Sequence, residues 1–179
     1  IAEDREILLP VMVCYDGFYL SYRKEPVDLP LQEDVDRFLA PLAANKRMVV
    51  NPDDPKLFGI PSFFPQDEGE GCTEARYLHS AALERVKSRM ETLDGEFKTV
   101  FGRSYGGQIE EYRTDDAEIV IVAMGSAVGT ARVVVDRKRE EGIKVGLIKV
   151  RLLRPFPKER LTEALKDKKA VGVIDRSVC

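Results

Sequence analysis

Blocks of apolar and polar residues alternate along the last third of the chain, over residues 117–175. Three apolar runs in this region predict strands, and the first is a continuous β-branched run, as expected of a parallel strand buried on both faces. The runs are Ile119–Ala123, Val145–Val150 and Ala170–Ile174. The stretches between them predict helices over residues 127–141 and 158–166. Strands that alternate with helices predict a three-layer α/β fold, in which a mostly parallel sheet carries helices on both faces.

The turn after the first of these strands is a candidate ligand site. It contains Gly125, Ser126 and Gly129, and Ser126 is a good N-cap for the helix that follows. Backbone N–H groups at a helix start favour phosphate or carboxylate groups, so these three residues are candidates for an anion site. The turn has neither the G-x-G-x-x-G pattern nor the lysine of a phosphate-binding loop. The pattern therefore favours a structural turn whose glycines let helix and sheet pack closely, and Gly129→Leu is expected to crowd that contact.

The start of the chain predicts fewer regular elements. Residues 8–15 form an apolar run that predicts a strand, closed by a turn at Asp16-Gly17. We interpret this turn as structural, and the alternative is that it approaches an active site. Residues 32–39 have the apolar spacing of a short helix.

A longer helix is predicted over residues 73–93, with a stop at Asp94-Gly95. Its apolar residues recur every three or four positions and form a narrow stripe, while the opposite face is heavily charged. The stripe consists of Ala75, Leu78, Ala82, Val86, Met90 and Leu93. A stripe of this width covers a surface rather than crosses a core, so we expect another domain or subunit to pack on it.

The composition excludes several classes of protein. The net charge is −3, the isoelectric point is about 5.4, and the basic residues are interleaved with acids, which argues against a nucleic-acid partner. No apolar run reaches the roughly 18 residues that a membrane span requires, so no membrane partner is expected. The three cysteines, Cys14, Cys72 and Cys179, are odd in number and far apart. This spacing suits reduced thiols in the cytoplasm better than a disulfide framework.

Few side chains suit catalysis or metal binding. His79 is the single histidine of the sequence, so no Ser-His-Asp or Cys-His arrangement can be recognised, and no histidine metal site is expected. An iron–sulfur cluster needs about four thiolates, which three scattered cysteines cannot supply. The sequence therefore predicts no catalytic residue and no metal ligand in this chain.

Basic residues cluster at or just beyond the carboxyl ends of two predicted strands. They are Lys149, Arg151, Arg154 and Arg176. Open α/β sheets bind their ligands at this edge, so a phosphate of coenzyme A is one possible partner. Solvated charges or salt bridges between subunits are the alternative that we favour.

The strand and helix segments carry a resemblance to a known family. The order GSAVGTA, then GIKVGLIKVRLLRPFP, then a short amphipathic helix and VGVIDRS resembles the C-terminal domain of the transketolase family. The closer resemblance is to that domain in the α subunits of 2-oxoacid:ferredoxin oxidoreductases. The segment LLPVMVCYDGFYLSY is similar to the end of their first thiamine-diphosphate-binding domain, where the family has His at the position of Tyr22.

The resemblance implies a function for the whole enzyme. That function is the oxidative decarboxylation of pyruvate to acetyl-CoA, with electrons passed to ferredoxin. It implies thiamine diphosphate, Mg²⁺ and iron–sulfur clusters as cofactors of the whole enzyme, with none expected in this chain, and other subunits, ferredoxin and coenzyme A as partners. The alternatives are the corresponding domain of another transketolase-type thiamine enzyme, or a non-catalytic binding module on the same fold.

The resemblance also implies a division of the chain. Residues 1–24 would end a thiamine-diphosphate-binding domain, residues 25–110 would form a connector with a long helix, and residues 111–179 would form a truncated α/β domain. The chain begins with Ile1 rather than Met, so we expect a fragment of a longer subunit whose role is structural and in subunit assembly.

Overall fold

The computed structural model describes residues 1–4, 6–43, 57–59 and 69–176. Four helices and six strands occur in these ranges. The helices are α1 (Gln32–Ala43), α2 (Cys72–Phe101), α3 (Ala127–Glu140) and α4 (Lys158–Leu165). The strands are β1 (Leu57–Gly59), β2 (Gly69–Gly71), β3 (Ile109–Tyr112), β4 (Ile119–Ala123), β5 (Val145–Val150) and β6 (Ala170–Ile174).

The main sheet contains the three strands that the apolar runs predict, with the same bounds. Its order is β3-β5-β4-β6, and β4 runs parallel to both of its neighbours. Ile121 lies opposite Leu147 on β5 and opposite Gly172 on β6. The fourth strand, β3, joins the edge of β5 in the antiparallel direction, which the sequence pattern does not predict. The expected mostly parallel sheet is therefore confirmed.

Each face of the sheet has its own core. Val120, Ile148 and Val150 point to one face, against Leu161 and Leu165 of α4. Successive residues of a strand face opposite sides. The residues in between therefore form the second core, where Val145 and Leu147 pack with α3 residues Val128, Ala131 and Val135. The expected arrangement with helices on both faces is confirmed.

The predicted strand over residues 8–15 is wrong. This segment forms no strand and lies on the surface, with Met12 87% and Val13 84% exposed. A strand needs a neighbour that completes its backbone hydrogen bonds. Apolar sequence indicates that a segment is buried somewhere, but it does not identify the surface that buries it.

Helix α2 is longer than the sequence predicts, because Asp94-Gly95 does not end it. The helix continues to Phe101 and ends at Gly102, which has a φ of 69° and donates its N–H to the Lys98 carbonyl. The Asp94 carboxylate accepts hydrogen bonds from Ser104 and from the N–H groups of Tyr105 (2.9 Å) and Gly106 (3.2 Å). Asp94 therefore stays in the helix and fixes the loop that leads to β3.

The apolar stripe of α2 is partly covered by this chain itself. Ala82 and Val86 are buried, whereas Leu78 remains 45% exposed. The start of the chain lies along this part of the helix, because Arg85 Nε donates to the Glu6 carbonyl (2.8 Å) and Arg89 Nε to Asp4 (2.6 Å). These contacts come from residues 1–24, which the resemblance assigns to a different domain, so the expectation that another domain packs on the stripe stays a prediction.

Candidate functional site at the carboxyl edge of the sheet

The carboxyl ends of the parallel neighbours β4 and β5 lie side by side at one edge of the sheet. After β4 the chain passes to α3 on one face, and after β5 it passes to α4 on the other. Neighbouring strands whose helices diverge in this way form the usual ligand crevice of open α/β sheets. The predicted anion-site residues lie at this point, because they directly follow β4.

The turn after β4 owes its shape to Gly125, which has a φ of 67°. A residue with a side chain rarely adopts this conformation. Gly129 differs, because it is an exposed helical residue, and a Cβ added there would meet no heavy atom within 4 Å. The expectation that Gly129 allows close packing of helix and sheet is therefore wrong, and Gly129→Leu would not crowd that contact.

The Ser126 side chain makes no capping hydrogen bond to its own helix. Its Oγ instead lies 2.9 Å from Oδ2 of Asp16, the residue of the turn that follows the N-terminal apolar segment. The same Asp16 oxygen accepts a hydrogen bond from Arg176, just beyond β6, at 2.7 Å. Three distant segments of the chain therefore meet at this edge.

The Asp16 carboxylate is fully engaged at this position. Its Oδ1 accepts the N–H groups of Phe18 and Tyr19, both at 3.0 Å. The hydrogen bond from the Tyr19 amide, followed by those from Arg176, Ser126 and Phe18, holds the pKa of Asp16 far below its usual range. Each of these donors stabilises the ionised form, so Asp16 carries its negative charge at neutral pH.

This arrangement bears on the predicted anion site. Ser126 and Arg176 would be suitable donors for an external anion, but here they bind a carboxylate of the same chain. An external phosphate or carboxylate would have to compete with Asp16 for both donors. An anion site at Gly125, Ser126 and Gly129 therefore stays a prediction.

Three of the four basic residues at this edge have acidic partners within the chain. Lys149 Nζ lies 3.9 Å from Glu110, and Arg176 binds Asp16. Arg151 lies 3.4 Å from Asp94 and also donates to the Gly107 carbonyl at 3.0 Å. These three salt bridges lie within the chain, whereas the prediction placed them between subunits, and Arg154 is solvent-exposed.

The donor set of the described residues does not suit a metal. No group of three or more His, Cys, Asp or Glu side chains in those ranges could hold a metal ion. Cys14 and Cys72 are exposed free thiols, and Cys179 lies outside the described residues. His79 lies on the exposed surface of α2.

Two further features of the structure concern membranes and cavities. Across the ranges that the structure covers, no helix combines the length and apolar character of a bilayer span. An open cavity of about 260 Å³, lined by residues that include Leu31, Phe101 and Arg103, lies at the end of α2. It is smaller than typical ligand pockets, which measure about 300–1,000 Å³.

The sequence indicates Gly125 and Ser126 as site candidates, but it does not indicate that Asp16 binds Ser126. Asp16-Gly17 is recognisable as a turn, and Arg176 as a residue at a strand end. Their contact joins positions 160 residues apart, which no local pattern reveals. The only local signal is the Asx turn itself, which leaves the second carboxylate oxygen available for other donors.

Comparison with known proteins agrees with this fold. Residues 117–179 match the family model described as pyruvate:ferredoxin oxidoreductase core domain II. The whole chain is similar to pyruvate synthase subunit PorA of Methanosarcina barkeri, with 47% identity over 178 residues, which is 99% of this chain and 42% of that subunit. The PorA subunit of Methanothermobacter thermautotrophicus is 44% identical over 181 residues, which cover 99% of this chain and 44% of that subunit.

One relative has a different name. The α subunit of NADH-dependent phenylglyoxylate dehydrogenase from Aromatoleum evansii is 40% identical over 185 residues, covering 99% of this chain and 43% of that subunit. The chain thus spans less than half the length of these relatives.

The fold is that of a transketolase C-terminal-like domain. Over 99% of its length the chain is therefore similar to part of the pyruvate synthase PorA subunits.

Proposed function

We propose that this chain is part of the α subunit of an enzyme that oxidatively decarboxylates pyruvate. In the proposed reaction, pyruvate and coenzyme A yield acetyl-CoA and CO₂, and two electrons pass to ferredoxin. The observation that carries this proposal is 47% identity to a pyruvate synthase subunit over 99% of the chain. The similarity includes the N-terminal segment as well as the α/β domain, which favours this family over other transketolase-type enzymes and over an unrelated binding module.

Pyruvate is the proposed substrate because most of the relatives compared are named pyruvate synthase subunits. Phenylglyoxylate, also a 2-oxoacid, is the second candidate, since one relative at 40% identity is named for it. The two substrates differ in size, because a phenyl ring replaces a methyl group. A direct comparison of the two therefore identifies the substrate class.

The proposed role of this portion is structural, with a part in subunit assembly. Thiamine diphosphate, Mg²⁺ and iron–sulfur clusters would be bound elsewhere in the enzyme, since the donors described above do not suit a metal or a cluster. When bound, thiamine diphosphate supplies the electron sink for decarboxylation. We assign no reaction step to a residue of this chain.

The proposed domain division assigns residues 1–24 to the end of a thiamine-diphosphate-binding domain. The exposure of Met12, Val13, Phe18 and Tyr22 supports this assignment. Exposed apolar groups of this size mark surfaces that other parts of a protein cover. The connector over residues 25–110 and the α/β domain from residue 111 onward complete the proposal, together with a cytoplasmic location.

The assembled enzyme provides the test. The subunit that contains this chain would be purified without oxygen together with its partners, which mass spectrometry of the intact preparation would identify. Reduction of methyl viologen would then be followed with pyruvate or phenylglyoxylate, with and without coenzyme A. Reduction that requires pyruvate and coenzyme A supports the proposal. Reduction with phenylglyoxylate but not with pyruvate would identify phenylglyoxylate as the substrate. The absence of reduction with either 2-oxoacid would refute the proposal.

A further inference from the structure

Asp16, Ser126 and Arg176 come from three segments that are far apart in the sequence. Asp16 belongs to the N-terminal segment, Ser126 to the turn between β4 and α3, and Arg176 to the residues just beyond β6. Asp16 is 110 residues from Ser126 and 160 residues from Arg176. Arg176 also lies 3.4 Å from Ser126 Oγ, so the three side chains form a closed set of contacts.

The two oxygens of the Asp16 carboxylate have different partners. Oδ1 accepts the N–H groups of Phe18 and Tyr19 and so fixes the conformation of the turn itself. Oδ2 faces Ser126 and Arg176 and so attaches the turn to the sheet edge. The Asp16 side chain is 13% exposed, whereas that of Arg176 is 65% exposed. One carboxylate therefore links the shape of the turn to its position on the α/β domain.

Apolar packing contributes little to holding this turn on the domain. Phe18 contacts the rings of Tyr19 and Tyr22, with centroids 6.0 and 5.7 Å apart, but all three rings are largely exposed. These rings pack on one another rather than into a core. Polar contacts at Asp16 are thus the main attachment of the turn that the structure describes.

We propose that Asp16 is a latch that fixes the N-terminal turn to the carboxyl edge of the sheet through Ser126 and Arg176. The inference rests on the proposed function only in one respect, the assignment of residues 1–24 to a separate domain. With that assignment, the latch sets the orientation of that domain relative to the α/β domain. It also explains why the Ser126 hydroxyl does not cap its own helix.

Amide hydrogen exchange in residues 17–22 tests the latch. It would be measured by mass spectrometry in the 179-residue chain and in the full subunit. Asp16→Asn is expected to speed exchange about tenfold, since it removes charge-assisted hydrogen bonds to both the turn and the edge. Arg176→Gln and Ser126→Ala are each expected to speed it about threefold, because each removes one neighbour of Oδ2. Arg176→Lys keeps the charge and is expected to retain most of the protection.

Asp28→Asn is the matched control, because it removes the same charge from an exposed position of the connector outside the latch. This variant is expected to exchange like the parent chain. Unchanged exchange in Asp16→Asn would overturn the proposal. So would an effect of Asp16→Asn without any effect of Arg176→Gln and Ser126→Ala, because Asp16 would then shape only its own turn. The exchange measurement requires no catalytic activity, so failure of the proposed reaction would leave its result readable.

Discussion

Gly106 and Gly129 show how differently two glycines of one chain are constrained. Gly106 has a φ of 81°, and a Cβ added there would lie 2.4 Å from the Ile109 carbonyl oxygen. Gly106→Ala is therefore expected to destabilise the chain by about 2–4 kcal/mol, from backbone strain and overlap together. Gly129→Ala is the control, since it meets open space within a helix and is expected to stabilise by about 0.5–1 kcal/mol. Urea unfolding measures both, and equal stability of the two variants would contradict this account.

The contacts of Asp94 are expected to make the stability of the chain depend on pH. Burial acts to raise its pKa, but hydrogen bonds from Ser104 and the amides of residues 105–107 outweigh it and lower the pKa below the usual 3.8. A lowered folded-state pKa means that the stabilisation is complete above the unfolded-state value and is lost as the pH falls through the folded-state value. The parent chain is thus expected to exceed Asp94→Asn in stability at pH 7, by a difference that shrinks below about pH 4.

Urea unfolding of both proteins between pH 7 and pH 3 checks this prediction. Asp28→Asn, at an exposed position, serves as the control and is expected to follow the parent chain at every pH. A difference between the parent and Asp94→Asn that stays constant down to pH 3 would show that the charge of Asp94 is not what stabilises the loop.

Secondary structure could be predicted where an element carries its own pattern of apolar residues, even at β6, whose residues are all exposed. Strands β4, β5 and β6 are continuous apolar runs, and their predicted bounds match the structure. The segment at residues 8–15 carries a similar run, but the described residues provide no strand to pair with it. The length of α2 depends on Asp94 binding a loop ten residues later, which spacing alone does not indicate. Long-range polar contacts therefore account for most of what the sequence did not predict, including the partner of Ser126.

On helix α2, substitution by Glu is expected to affect stability differently at a buried position and at an exposed one. Val86 is only 4% exposed, so Val86→Glu places an unpaired charge in the interior and is expected to destabilise by at least about 3 kcal/mol. Leu78 is 45% exposed, so Leu78→Glu is expected to change the stability of the chain by less than about 0.5 kcal/mol. Thermal unfolding of both variants tests this contrast.

The variants Val86→Glu and Leu78→Glu also distinguish an effect on folding from an effect on subunit assembly. If a partner packs on the exposed end of α2, Leu78→Glu weakens the complex in size-exclusion chromatography while the subunit remains folded. An unchanged complex would show that this end of the helix is ordinary surface. A large loss of stability in Leu78→Glu alone would show that Leu78 is buried in the native subunit.

At the scale of the whole molecule, the chain is expected to bind no thiamine diphosphate on its own. The basic residues Lys149, Arg151 and Arg176 already have acidic partners, so the sheet edge offers little uncompensated positive charge to a diphosphate. Isothermal titration with thiamine diphosphate and Mg²⁺ measures this directly. Binding tighter than about 10 μM, or roughly 7 kcal/mol, would contradict the structural role proposed for this portion.

The central claim is that this chain performs the role of the matching segment in a pyruvate-oxidising α subunit. The most direct test replaces that segment of the Methanosarcina barkeri PorA subunit, to which the chain is 47% identical, with this sequence. The chimeric subunit would be assembled with its native partners and assayed for viologen reduction that depends on pyruvate and coenzyme A. A rate within about tenfold of the parent enzyme, a barrier difference of roughly 1.4 kcal/mol, is predicted. A chimera that folds and assembles but shows no pyruvate-dependent reduction would contradict the claim.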